Sequence, residues 1–430
     1  MANPVWQGRA LAVPQIDTLT VGGTIADGDT VSVTINRKTA TATADSVDTT
    51  LTLAGKLYAA IQALITGGTA PEFSEVTWTD PRIAPTDSID ARSASAGNPF
   101  TLTVDDSGTT TLSLTPVQAP TGPNDLANPA NWSGNALPVA GDNPTIPPNS
   151  PPILHNLDAL NAVALGTLTI LGGTLGYEDR TGSNPNDPNA YYQYRQRHLE
   201  LLSATAILIG DGDDAPDFCR LKIVGSTSTP IRVRDGSATS RRHAIQLSAT
   251  AGTDHDLTIT GRSVALAPTL GETIDVGTLR IGTDGPTGSF GAAGTDPSVT
   301  IGEGVTSMTA ARLYGGTVVS NAPFTALVIL NGTWRQDRGT PGTVDITNAA
   351  GTYEYAGTAA HGVITAAGSG SVVDFTADSQ PFTLAAGSSF LEGAALFNPQ
   401  RCNCTSITVD KDSIAASRLG DTLTLPLVAA

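Results

Sequence analysis

The chain has 430 residues, 40% hydrophobic, 5% aromatic and 15% charged, with a net charge of −17. That is enough apolar content for a packed core and enough length for two or three domains, which excludes global disorder. The acidity excludes the basic footprint of a nucleic-acid-binding surface, and 45 glycines with few charged helix formers describe an all-β chain rich in turns.

Met1–Trp6 carries no basic or apolar leader, so no secretory signal is expected. No apolar run approaches the ~20 residues of a membrane span. Residues 1–118 read as a small α+β module. Leu19-Thr20-Val21 runs into a Gly22-Gly23 turn, and Thr30–Ile35 alternates with period two and pairs with Thr39–Ala44 as a hairpin. A helix follows, capped by Asp48, Thr49 or Thr50, with Leu53, Leu57, Ala60, Ile61 and Leu64 on one stripe and Gly67-Gly68 at its end. Strands are expected near Glu75–Trp78, Phe100–Val104 and Leu112–Leu114.

Residues 119–152 form a proline-rich connector that admits neither helix nor central strand, with Trp132 anchoring an ordered corner. From 153 to 401 short β runs take over: Thr167–Leu171, Ala206–Ile209, Leu221–Val224, Leu257–Thr260, Leu279–Ile281, Val299–Ile301 and Ala326–Leu330. The steps Leu257 to Leu279 to Val299, 22 and then 20 residues, suit one coil of a parallel β-helix. Gly332, Gly342, Gly351, Gly362 and Gly370 each open a short β-prone run, at intervals of 10, 9, 11 and 8. Each run is too short to bury a face alone, so the units must stack as a β-solenoid. Residues 402–430 are expected to close it as a hairpin or cap. The fold class is mainly β: an N-terminal α+β module, then a parallel β-helix with a C-terminal cap.

Chemistry is sparse. Arg335, Asp345, Glu354 and Asp374 follow the apolar positions of the ladder and turn outward. With two ladder steps per coil, Arg335, Glu354 and Asp374 share one face and Asp345 lies on the other. Glycosidases need two acids ~5–9.5 Å apart, which Glu354 and Asp374 on stacked coils reach. Alternation alone yields the same pattern, so a solvated outer face is the favoured reading. Asp211–Asp217 is an acidic turn that departs from the EF-hand pattern at Pro216 and Lys222. His255, between Asp254 and Asp256, reads as a polar turn. Cys219, Cys402 and Cys404 form neither a disulfide framework nor a metal site. Tyr191, Tyr192, Tyr194, Arg195 and Arg197 combine stacking faces with cations and are the candidate glycan- or partner-binding patch. Arg232, Arg234, Arg241 and Arg242 form a second basic cluster suited to subunit contact or plain surface packing. No catalytic residue, metal or cofactor is expected.

Trp6-x-Gly8 with Thr20–Thr24 and Gly28–Asn36 resembles the start of structural proteins from bacteriophage and prophage virion gene clusters. Asn131–Asp142 resembles the entry to β-solenoid regions of phage and bacterial surface proteins. The resemblance implies a non-enzymatic virion component, a capsid decoration, head-fibre or tail-fibre protein, made in the host cytoplasm. Its implied partners are its own copies as a homotrimer, other virion proteins such as the major capsid protein, and a host surface glycan, without nucleic acid or membrane. The rival readings are a tailspike-like polysaccharide-degrading enzyme and a bacterial surface adhesin.

Overall fold

The computed structural model describes residues 2–178, 195–234, 245–282, 297–416 and 427–428, apart from short gaps at 36, 84, 98–99, 149–152, 155–159, 197, 212–213, 215, 217, 262, 348–349, 377–379 and 405–406. At the N-terminus, alternating apolar positions build two small antiparallel sheets. One orders its strands Val76–Trp78, Ser88–Ser93, Ile16–Gly23 and Thr110–Gln118; the other orders Lys38–Thr43, Thr30–Ile35 and Leu102–Asp106. Ser88–Ser93 has no counterpart in the expected elements. Helix Thr50–Thr66 packs on both sheets through Leu53, Ala54, Leu57 and Ile61. Thr49 caps it: its hydroxyl accepts the Thr52 N–H while the Thr52 side chain returns to the Thr49 N–H, a reciprocal capping box.

The connector is ordered around Trp132. Its indole N–H donates to the Leu126 carbonyl at 2.9 Å, and its ring meets Trp6 edge-on at 5.4 Å. Trp6 thereby belongs to the solenoid core although it stands at the start of the chain. Val5 also bridges Thr145 in parallel, so the first residues cover the edge of the first coil. Covering that edge removes a row of unpaired backbone groups that would otherwise template another chain.

Beyond the connector the described chain alternates between two long parallel sheets. The first includes Ser203–Ile209, Ile231–Val233, Asp254–Ile259, Ile274–Ile281, Val305–Leu313, Phe324–Ile329, Pro341–Thr347, Ile364–Ala367, Ser388–Leu391 and Ile407–Val409. The second includes Phe218–Ile223, Ile245–Ala249, Ser263–Leu266, Ser298–Ile301, Thr317–Ser320, Asn331–Gln336, Ala350–Tyr355, Val372–Asp374 and Ala395–Phe397. Each coil therefore holds one strand of each sheet, and the architecture is a β-helix. The glycine ladder is this alternation: Gly332 and Gly351 lie paired in the second sheet, and Gly342 opens a strand of the first. A Cβ on Gly342 would collide with the Thr325 carbonyl of the previous coil, which is why glycine recurs there.

Leu257 and Leu279 are register partners one coil apart, as their spacing predicts. Val299 is not the next step; it lies on the second sheet between Val264 and Val318. The coil after Leu279 instead arrives at Ala311, and the following one is much shorter, from Ala311 to Leu327. Register, not a fixed period, holds the coils, because the connecting loops differ in length while the strands do not slip.

The C-terminal end is a further rung rather than a hairpin. Ile407–Val409 pairs in parallel with Ser388–Leu391, and Leu427–Val428 pairs in parallel with Ile407–Val409. Helix Lys411–Ala416 lies between them in sequence. Its Ser413 hydroxyl accepts the Gly393 N–H, and the Ser413 N–H donates to Asp410.

The interior changes along the axis. In the early coils both sheets present aliphatic columns, Ile207–Ile231–Leu257–Leu279 on the first and Leu221–Leu247–Leu266–Ile301 on the second. Fully burying each such side chain stabilises by about 1.5–3 kcal/mol. After Ile301 the second column continues as Ser320, Gln336 and Tyr355, all fully buried. At the same level a short third ladder appears. His361 bridges Leu384, and Phe382–Thr383 pairs in parallel with Cys402–Asn403. Three sides enclose a wider interior than two, and the added volume is filled by Trp334, Tyr353, Tyr355, Phe375, Phe382 and His361.

Candidate functional site

The outward ladder falls where two steps per coil put it. Arg335 pairs with Glu354, Glu354 with Asp374, and Asp345 sits on the other sheet beside Val328 and Thr365. Adjacent rungs are ~4.8 Å apart, so the two acids are within the separation of a retaining glycosidase pair. The partners of Asp374 are structural, however. Asp374 accepts the Thr376 N–H at 2.9 Å and the Asn398 amide at 2.6 Å, and Arg335 bonds Asp337 at 2.6 Å. The ladder is a flat strip on a sheet.

The polar chemistry of the molecule is inside the widened coils. His361 is 3% exposed. Its Nδ1 faces the Gly362 carbonyl at 3.0 Å, which can only accept, so Nδ1 carries the proton. Nε2 then accepts the Tyr353 hydroxyl at 2.8 Å. Tyr353, Tyr355 and Phe382 surround the ring, the two tyrosines edge-on at 5.4 and 5.1 Å. Burial in this aromatic shell lowers the His361 pKa to about 4, opposed only by the bond to Gly362, so the ring is neutral at pH 7. Burial raises the Tyr355 hydroxyl to about 12.

Next to it, Arg401 is buried and held by carbonyl oxygens. Its guanidinium donates to Tyr355 at 2.8 Å, Gly357 at 3.0 Å, Thr376 at 3.1 Å, Gln380 at 2.6 Å and also Phe375, and it stacks over Phe382 at 5.5 Å. Five donors in a fixed fork satisfy carbonyls from successive coils at once, which a lysine cannot do. Gln336 acts in a similar way at the preceding coil. Its Oε1 accepts the Trp334 indole N–H at 3.0 Å and its amide donates to the Ala322 carbonyl at 2.6 Å. Arrangements of this kind fix register. Sequence reasoning missed all three residues: Gln336 shows only as an alternation position, and His361 and Arg401 lie in irregular segments with no periodicity.

His255 corrects the expectation of a polar turn. It lies in strand Asp254–Ile259, is fully buried, and its Nδ1 accepts the Thr229 N–H at 3.1 Å. Burial lowers its pKa. The acids beside it are engaged elsewhere: Asp256 accepts the Thr278 N–H, and Asp275 takes the Gly252 N–H and the hydroxyls of Thr306 and Ser307. Cys219 is a buried core residue whose thiol is pushed up to about 12 by burial, and Cys402 and Cys404 pack partly buried against the core.

Among the acidic-loop residues, Asp211 and Asp214 close a turn through the Asp214 N–H to the Asp211 carboxylate at 2.9 Å; 212, 213, 215 and 217 lie outside the described residues. Among the described residues no cluster of His, Cys, Asp and Glu could hold a metal ion. Of the tyrosine–arginine patch, Tyr191, Tyr192, Tyr194 and Arg197 lie outside the described residues, and Arg195 is placed by its backbone alone, antiparallel to Glu178. Arg241 and Arg242 also lie outside them; Arg232 and Arg234 stand on and just beyond strand Ile231–Val233. Among the described residues no helix is long and apolar enough to cross a membrane. Compared with known proteins, the chain matches no family model, no curated protein and no solved structure.

Proposed function

We propose that the protein is a non-enzymatic structural component of a bacteriophage virion, a capsid decoration or fibre that assembles as a homotrimer on the particle beside the major capsid protein. The observation that carries this reading is the continuous apolar core of the solenoid, which runs from Leu126 to Val409, takes in Trp6 from the chain start and is separate from the core of the N-terminal module. It makes a stiff body whose interior is spent on packing. In support, Leu11, Val47, Ile83 and Val117 stand exposed on the small N-terminal module, beside Val139, Leu270 and Leu330 further along the chain. Exposed apolar groups on the module suit attachment or association between copies. Mass measurement in solution tests this: a trimer is expected, and a strictly monomeric species at micromolar concentration would sink the reading.

The register pairing of Glu354 with Asp374 favours one second reading, a tailspike-like enzyme that cuts surface polysaccharide. It requires release of reducing ends from host capsule or lipopolysaccharide, lost in Glu354→Gln. Absence of release by the unaltered protein removes it.

A further inference from the structure

On the outer face of the first sheet, one column of register partners reads Arg232, Thr258, Arg280, Arg312. All three arginines are exposed, and among the described residues none forms an ion pair or hydrogen bond. In a chain of net charge −17, three free guanidiniums aligned along the solenoid axis are a departure that strand alternation does not require. The adjoining outward column holds Thr260 and Tyr314, two residues further along their strands and half-buried. The exposed acids on the same face include Asp254, Asp256 and Asp345, which accept hydrogen bonds from Ser307, Thr278 and Thr347.

We propose that this stripe binds a linear uronate-bearing polysaccharide laid along the solenoid axis. Charge density selects the ligand. Rungs ~4.8 Å apart spread three cations over roughly 15 Å. Duplex nucleic acid carries a charge every ~1.7 Å and would be repelled by the rest of this acidic molecule. A polyuronate carries a single carboxylate per sugar ring, sparse enough for each to meet a guanidinium, and arginine binds carboxylates through two parallel hydrogen bonds. The Thr258 hydroxyl between the arginines suits a sugar hydroxyl, and the flank of Tyr314 suits the apolar face of a sugar ring. A protein partner would require a desolvated apolar centre, which the stripe lacks. The stripe depends only on the register of the first sheet and stands apart from the virion reading.

The test titrates the full chain with polygalacturonate at low ionic strength, beside fully methyl-esterified polygalacturonate and a single-stranded DNA oligonucleotide. Saturable binding to polygalacturonate alone is expected, weakened by salt. It should fall at least about tenfold in Arg280→Ala/Arg312→Ala, since two of the three guanidiniums that pair with carboxylates are lost. It should be unchanged in Arg82→Ala, which lies on the N-terminal module. Arg232→Gln provides a second, single-site reduction if the double variant folds poorly. No binding by the unaltered protein, equal affinity of the variants, equal binding of the methyl ester, or preference for the oligonucleotide would each overturn the proposal.

Discussion

The coils from Ile207 to Ile281 and those from Ser320 to Phe397 share one rung plan but fill it differently. The early coils are two-sided with aliphatic inward columns, and their buried polar residues are Thr229, Gln246, Ser248, His255 and Asp275. The late coils gain a third short ladder and enclose Gln336, Tyr353, Tyr355, His361 and Arg401. Aliphatic packing is non-directional, so neighbouring registers differ little in energy apart from the face they bury. Buried polar groups are directional: each donor has one acceptable position, and a slipped rung leaves it unpaired at a cost of about 1–3 kcal/mol per group. The late coils therefore specify their register more tightly, and their stability depends on protonation.

The largest test removes the carbonyl clamp. Arg401→Met keeps much of the volume but strands several carbonyls, and a loss of about 4 kcal/mol is expected. Hydrogen exchange should show it as lost protection between 353 and 409, with the N-terminal module unaffected. Protection lost equally across the whole chain would erase the distinction between the two regions.

The next effect comes from acid. The His361 pKa is depressed in the folded state, so between pH 6.5 and about 4 the unfolded chain holds a proton that the folded chain does not. Its contribution is fully present above pH 6.5 and disappears as pH falls toward 4, a loss of about 3 kcal/mol. Asp410, held below its ordinary value chiefly by the Ser413 backbone bond, adds a loss only at still lower pH. Chemical denaturation across that window, compared with His361→Gln, reads the difference; the glutamine oxygen can still accept the Tyr353 hydroxyl. His255 acts in the same direction in the early coils, so the variant should flatten the profile incompletely.

The smallest expected effect lies in the aliphatic stack. Ile259→Val removes one buried methylene and should cost about 1 kcal/mol, by the same amount at pH 5 and pH 7. A pH-dependent cost there would mean that the aliphatic stack is coupled to a titrating group, His255 on the same strand being the nearest.

Much of this architecture was legible locally. Helix Thr50–Thr66 announces itself by cap and stripe, and alternation with glycine punctuation placed the rungs and turned Glu354 and Asp374 onto one face. Coil length was misjudged at Val299 because a strand of either sheet has the same local pattern; only pairing tells which sheet it joins. The Trp6–Trp132 contact joins residues far apart in the chain, and nothing in either segment names the other. Arg401 ends a single helical turn, Pro399–Arg401, and His361 lies between strands, where no period marks inside from outside, so their burial could not be read ahead.

By itself, the sequence determined the stacked β class, the module ahead of the solenoid and the acidic exterior, because period, turn chemistry and charge act over a few residues. The tertiary structure alone decided the third side of the late coils, the cage around Arg401 and the arginine column on the first sheet. Each of these depends on which rung lies above which, a property set by long-range register and by loops of unequal length rather than by any local propensity.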